Sequence, residues 1–457
     1  MPILDQSMTE LIVRGGTVVT PHGSFEGDIA VRGGRIAAIG QRLEAGSGTP
    51  TLDARGLVVL PGVIDPHSHL WEPGFVSRPD FADSTASAAA GGITTIIEMP
   101  LTVPEVLDEA GLLEKARLGE RTSYVDFALY GGVSPDRLIE LDGMWRAGAA
   151  AFKIFTCDTG CAMKGVIEDA DLIDAMSRIA RLGALACFHA ENDELLVANR
   201  ARLAALGRRD NAAFSDWHSE TAELEAINRI LFYAGRLGTR VHIVHVTSPD
   251  GLKLVERARR EGVRATAETC PHYLYLSEDD IAARGAWVTC APPMRGVAAM
   301  EGLRASLDNG LIATIGSDHG PVDPELKLRA SNDVFAGQCG MPANETMVPL
   351  MLNLAAQGFI SLERLAALLS EAPARLYGLY PRKGAIAIGS DADFTIVDPT
   401  ERWTIRQADL IGACGWTPFE ETPVTGRVKM TVVRGRLVAR DGRVVGEPGA
   451  AYIPRLA

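Results

Sequence analysis

No apolar run in the chain approaches the roughly 18–20 residues that carry a helix across a bilayer, so the sequence offers no membrane-spanning helix. The first residues, MPILDQSMTELIVRGG, lack the charged-then-apolar layout of a secretory leader, and Met8 stands beside Met1 as a second candidate start. Basic residues are in deficit: 45 lysines and arginines face 58 acids, a net charge of −13. That balance disfavours nucleic acid and anionic membrane surfaces as partners. The seven cysteines are an odd number without a CxxC pair, in a chain large enough to do without disulfides. A cytoplasmic protein with reduced thiols is the expectation. Glycine-rich phosphate loops are also missing after every candidate strand, which weakens a nucleotide-binding reading.

What is present is the composition of a globular protein: 457 residues, 47% hydrophobic and 23% charged. That length accommodates one large catalytic domain and a small second one. Residues 10–60 alternate apolar and polar and are broken by glycines, as in LIVRGGTVVT and DIAVRGGRIAAIG. The same short-strand pattern returns in DADFTIVD and KMTVVRGRLVARDGRVVG near the other end. Two strand-rich ends around a different middle predict a small β-sandwich built from both termini, residues 1–60 and 384–457. The middle, residues 61–383, repeats a strand-then-helix unit at roughly 25–50-residue intervals. Candidate strands lie at 63–65, 94–98, 126–130, 150–155, 184–189, 241–246, 264–269 and 311–316. Helical patterns separate them, for example 169–183 and 248–262, the latter opened by a Ser-Pro start signal. Eight such units predict a (β/α)8 TIM barrel of the α/β class, with a doubly wound open sheet as the alternative.

The residues at the strand ends carry the chemistry. The apolar strand before PGVIDPHSHLWEPG delivers His67 and His69, and residues two apart on a strand point the same way. Lys153 interrupts the apolar run AAFKIF of the fourth strand; His189 ends the fifth in FHAEN; His245 ends the sixth in VHIVHV; Asp318 follows the eighth in IGSDH. Barrel enzymes build their sites at this C-terminal face. His242, three residues before His245, falls on the opposite side of a regular strand and reads as a packed histidine. His22 and His218 read as ordinary loop or helix residues, and His319 as a residue orienting Asp318. His272, in CPHYLYL, is a candidate substrate contact with a structural role equally open.

A buried lysine is costly unless it is paired or neutral. A neutral one is a nucleophilic amine that can take up carbon dioxide as a carbamate, an anionic bridge between two cations. Imidazoles and a carboxylate around such a bridge suit two divalent ions, zinc above manganese, cobalt or iron. Such a pair activates a bridging water and polarises a carbonyl. Asp318 is then the group that takes the proton and returns it to a departing nitrogen.

On these motifs the chain resembles the cyclic amidohydrolases, meaning dihydroorotases, hydantoinases, dihydropyrimidinases and allantoinases, over nearly its whole length. GVIDPHSHLWEPG is similar to the family's first metal motif, AAFKIF to its carbamylated-lysine strand, HVTSPDG to its sixth-strand motif and GSDHGP to its aspartate motif; GSDADFTIVD is similar to the segment rejoining the sandwich. The resemblance implies one metal on His67, His69, Lys153 and Asp318 and a second on Lys153, His189 and His245. It also implies a cyclic amide substrate and a dimer or tetramer. Trp71 and Leu101 stand where dihydroorotases carry an arginine and an asparagine for the substrate carboxylate, a clamp that tryptophan does not replace. Asp158 stands where hydantoinases carry a substrate-facing tyrosine. GGITTIIEMPL and the CAPPMR segment at Cys290 resemble allantoinases, which makes opening of allantoin to allantoate, a step of purine breakdown, the leading expectation. Cys339, at a hydantoinase asparagine position, and the bulk of Trp71 point instead to a hydrolase of 5-substituted hydantoins or cyclic imides. The loop 156–165 is only loosely like that of allantoinases. Outside the enzyme class, the alternative is a metal-free scaffold relative, but such relatives lose ligands and all six are present here.

Overall fold

A computed structural model of the chain describes residues 9–44, 46, 48–75, 79–159, 167–331 and 333–456, with the backbone alone of Ala330. Met1, Met8 and the greater part of the 156–165 loop lie outside the described residues.

Eight parallel strands, rich in Val, Ile and Ala and buried almost throughout, form the central sheet in sequential order. They are Val63–Ser68, Ile93–Glu98, Asp126–Gly132, Ala151–Phe155, Leu185–His189, Arg240–Ile243, Ala265–Thr269 and Thr314–Ile315. Helices cover the outside, among them Asp169–Leu182, stopped by left-handed Gly183, and Pro249–Arg260, opened by Ser248 and Pro249. First and last strands meet through a Ser68–His319 bridge and a 2.7 Å bond from the His69 amide to the His319 carbonyl, nearly closing a barrel. The sixth and eighth strands are shorter than the hydrophobic runs that predict them. His245 and Asp318 leave the extended region with φ of 43° and 48°, so the ladder stops before both.

The two chain ends hydrogen-bond into one nine-stranded mixed sheet. Phe394–Ile405 pairs antiparallel with Val58–Pro61, which places Thr395 opposite Leu60. Val13, Ile29 and Ile36 from the N-terminal part share one buried cluster with Phe394, Ile396 and Val432. Gly62 is the crossing point from this sheet into the barrel. A Cβ there would stand 2.4 Å from Thr94 Oγ1 and 2.5 Å from Asp393 Cβ, so only glycine fits. The final residues leave the sheet: Ile453 donates to the Phe127 carbonyl at 2.7 Å, beside the third barrel strand.

A buried ionic knot ties these parts together. Lys383 Nζ lies 2.6 Å from Asp126, 2.7 Å from Asp393 and 3.1 Å from Asp391. Asp126 opens the third barrel strand and also receives the Ala451 amide at 2.8 Å and Arg434 at 3.0 Å. Lys383 is fully enclosed, yet the three carboxylates hold its ammonium above its ordinary range against the opposing effect of burial. Removing one partner of a buried ion network strands the others. We expect Lys383→Ala to lower the unfolding free energy by roughly 3–5 kcal/mol, measured by chemical denaturation. A loss under about 1 kcal/mol, the range of surface pairs, would show the knot to be dispensable.

Candidate active site

Five of the six predicted ligands sit at or just beyond strand ends, and Lys153 lies within the fourth strand. His67 Nε2 is 3.1 Å, and His69 Nε2 3.5 Å, from Asp318 Oδ1. Ring centroids of His67 and His245 are 5.4 Å apart, and those of His189 and His245 4.7 Å. Lys153 lines the same cavity of about 530 Å³, together with all five other ligands. The sequence-predicted set is therefore brought to one place. His245 faces it through the left-handed turn after the sixth strand, rather than through strand alternation.

Burial sets the charges. It pushes His67 and His245 well below the usual imidazole range and His69 downward too, leaving neutral rings with lone pairs to offer. It lowers Lys153 to about 8, in spite of Asp318 nearby, and its Nζ has no hydrogen-bond partner among the described residues. Burial works against the Asp318 carboxylate, but the hydrogen bond from His69 and the charges around it hold it below its ordinary value.

The orientation of His67 tests whether a metal fits. Its Nδ1 is 2.9 Å from Glu268 Oε1. An ionised carboxylate only accepts, so Nδ1 carries the proton and Nε2 the lone pair. That lone pair faces Asp318 Oδ1 at 3.1 Å, acceptor against acceptor, an arrangement that a cation between them resolves. The ligand atoms of His67, His69 and Asp318 lie within 4.8 Å of one another, as a shared ion requires. The donor set fits a divalent metal.

Among the described residues, one side of the cavity is apolar. Trp71, Leu101 and Phe155 form one buried cluster with Phe75 packed against it. Trp71 stacks on His69 at 5.2 Å and meets Phe75 edge-on at 5.2 Å. Cys290 and Cys339 also line the cavity, as predicted for substrate-facing positions. Asp158 does not. Its side chain is exposed, its amide is tied to Asp193 Oδ1 at 2.9 Å, and among the described residues of that loop Thr159 lines the wall. His272, on the short helix Pro271–Tyr275, packs its ring 4.1 Å from that of Tyr273; it lies near enough to Asp318 and His245 for their charges to interact, and neither ring nitrogen has a hydrogen-bond partner among the described residues. His319 does not orient Asp318 through its ring. Its Nδ1 accepts instead from the Ala343 and Asn344 amides at 3.1 and 3.4 Å.

Several residues escape sequence reasoning. Glu268 lies behind His67, and Asp65 receives the Ser317 amide at 2.9 Å and its hydroxyl at 2.5 Å. Glu191 lies 2.9 Å from both His189 Nε2 and His218 Nδ1. Cys157 Sγ comes within 4.8 Å of His189 and Glu191, but Glu191 is already committed to both imidazoles. Phe155 was discoverable: it is two residues from Lys153 on one strand and so shares its face.

Comparison with known proteins places these features in context. The model of the amidohydrolase family matches residues 58–438. An L-hydantoinase of Paenarthrobacter aurescens is 37% identical over 444 residues, covering 97% of each chain. An allantoinase of Rubrobacter xylanophilus is 38% identical over 449 residues, covering 98% of each. Among solved structures, L-hydantoinase (dihydropyrimidinase) from Arthrobacter aurescens superposes with a TM-score of 0.95 at 37% identity, over 98% of this chain and 100% of that one.

Lys153 is the amine among the ligands, so its removal should unmake the donor set without touching the barrel's core. We expect Lys153→Ala to retain metal at least about 10-fold less tightly than the wild type, measured by metal content after dialysis against a chelator. Wild-type retention would exclude Lys153 from the ligand set.

Proposed function

The chain belongs to the amidohydrolase family, and on that premise we propose that it hydrolyses the ring of 5-substituted hydantoins whose substituent is apolar. Its relatives are hydrolases of cyclic amides, as their names state. The observation that carries the finer reading is the Trp71–Leu101–Phe155 wall beside the ligands. An aryl or alkyl substituent gains about 25 cal/mol for each Å² it buries there. The ureido arm of allantoin would instead strand donors and acceptors, at about 1–3 kcal/mol for each group left unpaired. Allantoinase is the second reading, supported by the identity to the Rubrobacter allantoinase and by Cys290 and Ala291 of the CAPPMR segment lining the cavity.

In this reading His67, His69, Lys153 and Asp318 would hold one divalent ion, and Lys153, His189 and His245 another, with Lys153 as a carbamate. When bound, the ions, zinc by the imidazole-rich set, lower the pKa of a water towards neutrality and polarise the ring carbonyl. The protein's own groups do the rest. Asp318, held ionised, accepts a proton as the water oxygen bonds to the carbonyl carbon. As the carbon–nitrogen bond breaks, the same carboxyl returns that proton to the leaving ring nitrogen; an open-chain urea and a carboxylic acid result, and the acid releases the water's second proton to solvent. Trp71, stacked on His69, closes one side of the site and limits solvent there.

The test is ring-opening activity of zinc-loaded protein on allantoin, dihydrouracil, dihydroorotate and 5-alkyl and 5-aryl hydantoins in both enantiomers. Apolar hydantoins should exceed allantoin in kcat/KM by about 10–100-fold, the worth of one or two unpaired polar groups. Allantoin leading by orders of magnitude would install the second reading. Recovery of Lys153→Ala by short carboxylic acids is expected if a carbamate bridges there, and no recovery argues against it.

A further inference from the structure

Behind each half of the candidate ligand cluster stands a buried glutamate: Glu191 bonds two histidines directly, and Glu268 bonds one directly and reaches a second through Thr314. Glu191 presents Oε2 to His189 Nε2 at 2.9 Å and Oε1 to His218 Nδ1 at 2.9 Å. Glu268 presents Oε1 to His67 Nδ1 at 2.9 Å, while Oε2 accepts from Thr314 Oγ1 at 3.0 Å with His242 Nε2 at 3.6 Å. All six residues of the two relays are buried. The outer histidines are themselves held: His242 Nδ1 meets Thr266 Oγ1 at 2.7 Å, and the His218 carbonyl receives Arg295 Nη1 at 2.6 Å.

We infer that Glu191–His218 and Glu268–His242 are two independent positioning relays, each responsible for one metal of the pair. The inference rests on the binuclear-metal reading given above. A carboxylate accepts hydrogen bonds and donates none, so each glutamate forces the ring nitrogen it touches to be the protonated one. His67 is thereby left with Nε2, and His189 with Nδ1, as the nitrogen free to ligate. The two ligands use opposite nitrogens because their glutamates approach from opposite ends of the ring. The charge on each glutamate also makes its imidazole a stronger donor to a cation. A carboxylate buried with a single partner would leave its second oxygen unsatisfied in a low dielectric, and would drift or take up a proton. His218 bonds the second oxygen of Glu191 directly, and Thr314, itself 3.3 Å from His242 Nε2, donates to that of Glu268, which holds each glutamate in place. The relays do not share a residue, and His67 and His189 belong to different metals. Loss of one relay therefore weakens one metal.

The experiment uses full-length wild type, Glu191→Gln, Glu268→Gln and the double variant, each zinc-loaded and dialysed against increasing chelator. Zinc per chain is counted by mass spectrometry, and thermal melting of the metal-free proteins monitors folding. Each single variant should release one of about two equivalents at a free-zinc level about 10–100-fold above that needed by the wild type, and the double variant both. His218→Ala should behave as Glu191→Gln does. His218→Asn, whose amide stands in for Nδ1–H, should restore retention, which a residue serving only to fill space would not do. The His218 variants also decide the Glu191 relay if Glu191→Gln does not fold, and Thr314→Val, which removes the donor to Glu268 Oε2, decides the other if Glu268→Gln does not. Two equivalents held at wild-type strength in every variant would overturn the relays while the metal reading stood. A double variant that loses no more than either single one would overturn their independence. A wild type that takes up no zinc would overturn the metal reading and the relays together.

Discussion

The joint between the first and last barrel strands is the constraint on which the site depends. Asp65 accepts the Ser317 amide and hydroxyl, and the His69 amide bonds to the His319 carbonyl. These contacts draw two segments some 250 residues apart, 252 for Asp65 and Ser317, into one rim. Only then do His67 and His69 face Asp318. Burial raises the Asp65 carboxyl to about 7 against the Ser317 bonds that favour its charge, so this joint is a strong but closely balanced one. An open sheet made from the same strands would leave the ligands in two separate groups.

Enclosure then does chemical work. Imidazoles removed from water become neutral, and the amine of Lys153 falls towards neutrality, which converts would-be cations into lone-pair donors. The carboxylate of Asp318 resists the same pressure chiefly through its hydrogen bond with His69. A pocket that neutralises its bases and keeps its acid ionised is prepared for positive charge. The same enclosure produces the aromatic side of the cavity, where Trp71 holds φ at 59° to lie flat on His69. A tryptophan in the left-handed region is a strained residue, and its stacking with His69 and Phe75 shows what holds it there.

Much of this was legible beforehand, and the reason is locality. A buried parallel strand is a short apolar run, so eight strands could be counted, and the residue after each run lands on the active face of a barrel. His67, His69, His189, His245 and Asp318 follow from that rule alone. Lys153 declares itself because an ammonium in an apolar run needs an explanation. Asp158 does not reach the cavity wall for the complementary reason: it lies on a loop whose path depends on Asp193.

The amino-acid sequence by itself therefore determined the strand count, the histidine, lysine and aspartate side chains that meet in the cavity and the ends on which they stand, because these follow from burial and from the two-residue period of a strand. Tertiary structure alone decided which nitrogen of His67 and of His189 meets a carboxylate. The partners are Glu268, 201 residues from His67, and Glu191, which joins His189 to His218 just past the helix Ala213–Trp217. It also decided that Trp71, Leu101 and Phe155, from three different strand ends, form one apolar surface. Pairings of this kind carry no periodic mark in the chain. They arise only when the barrel closes, and a hydrogen bond or an apolar contact is indifferent to the sequence distance it spans.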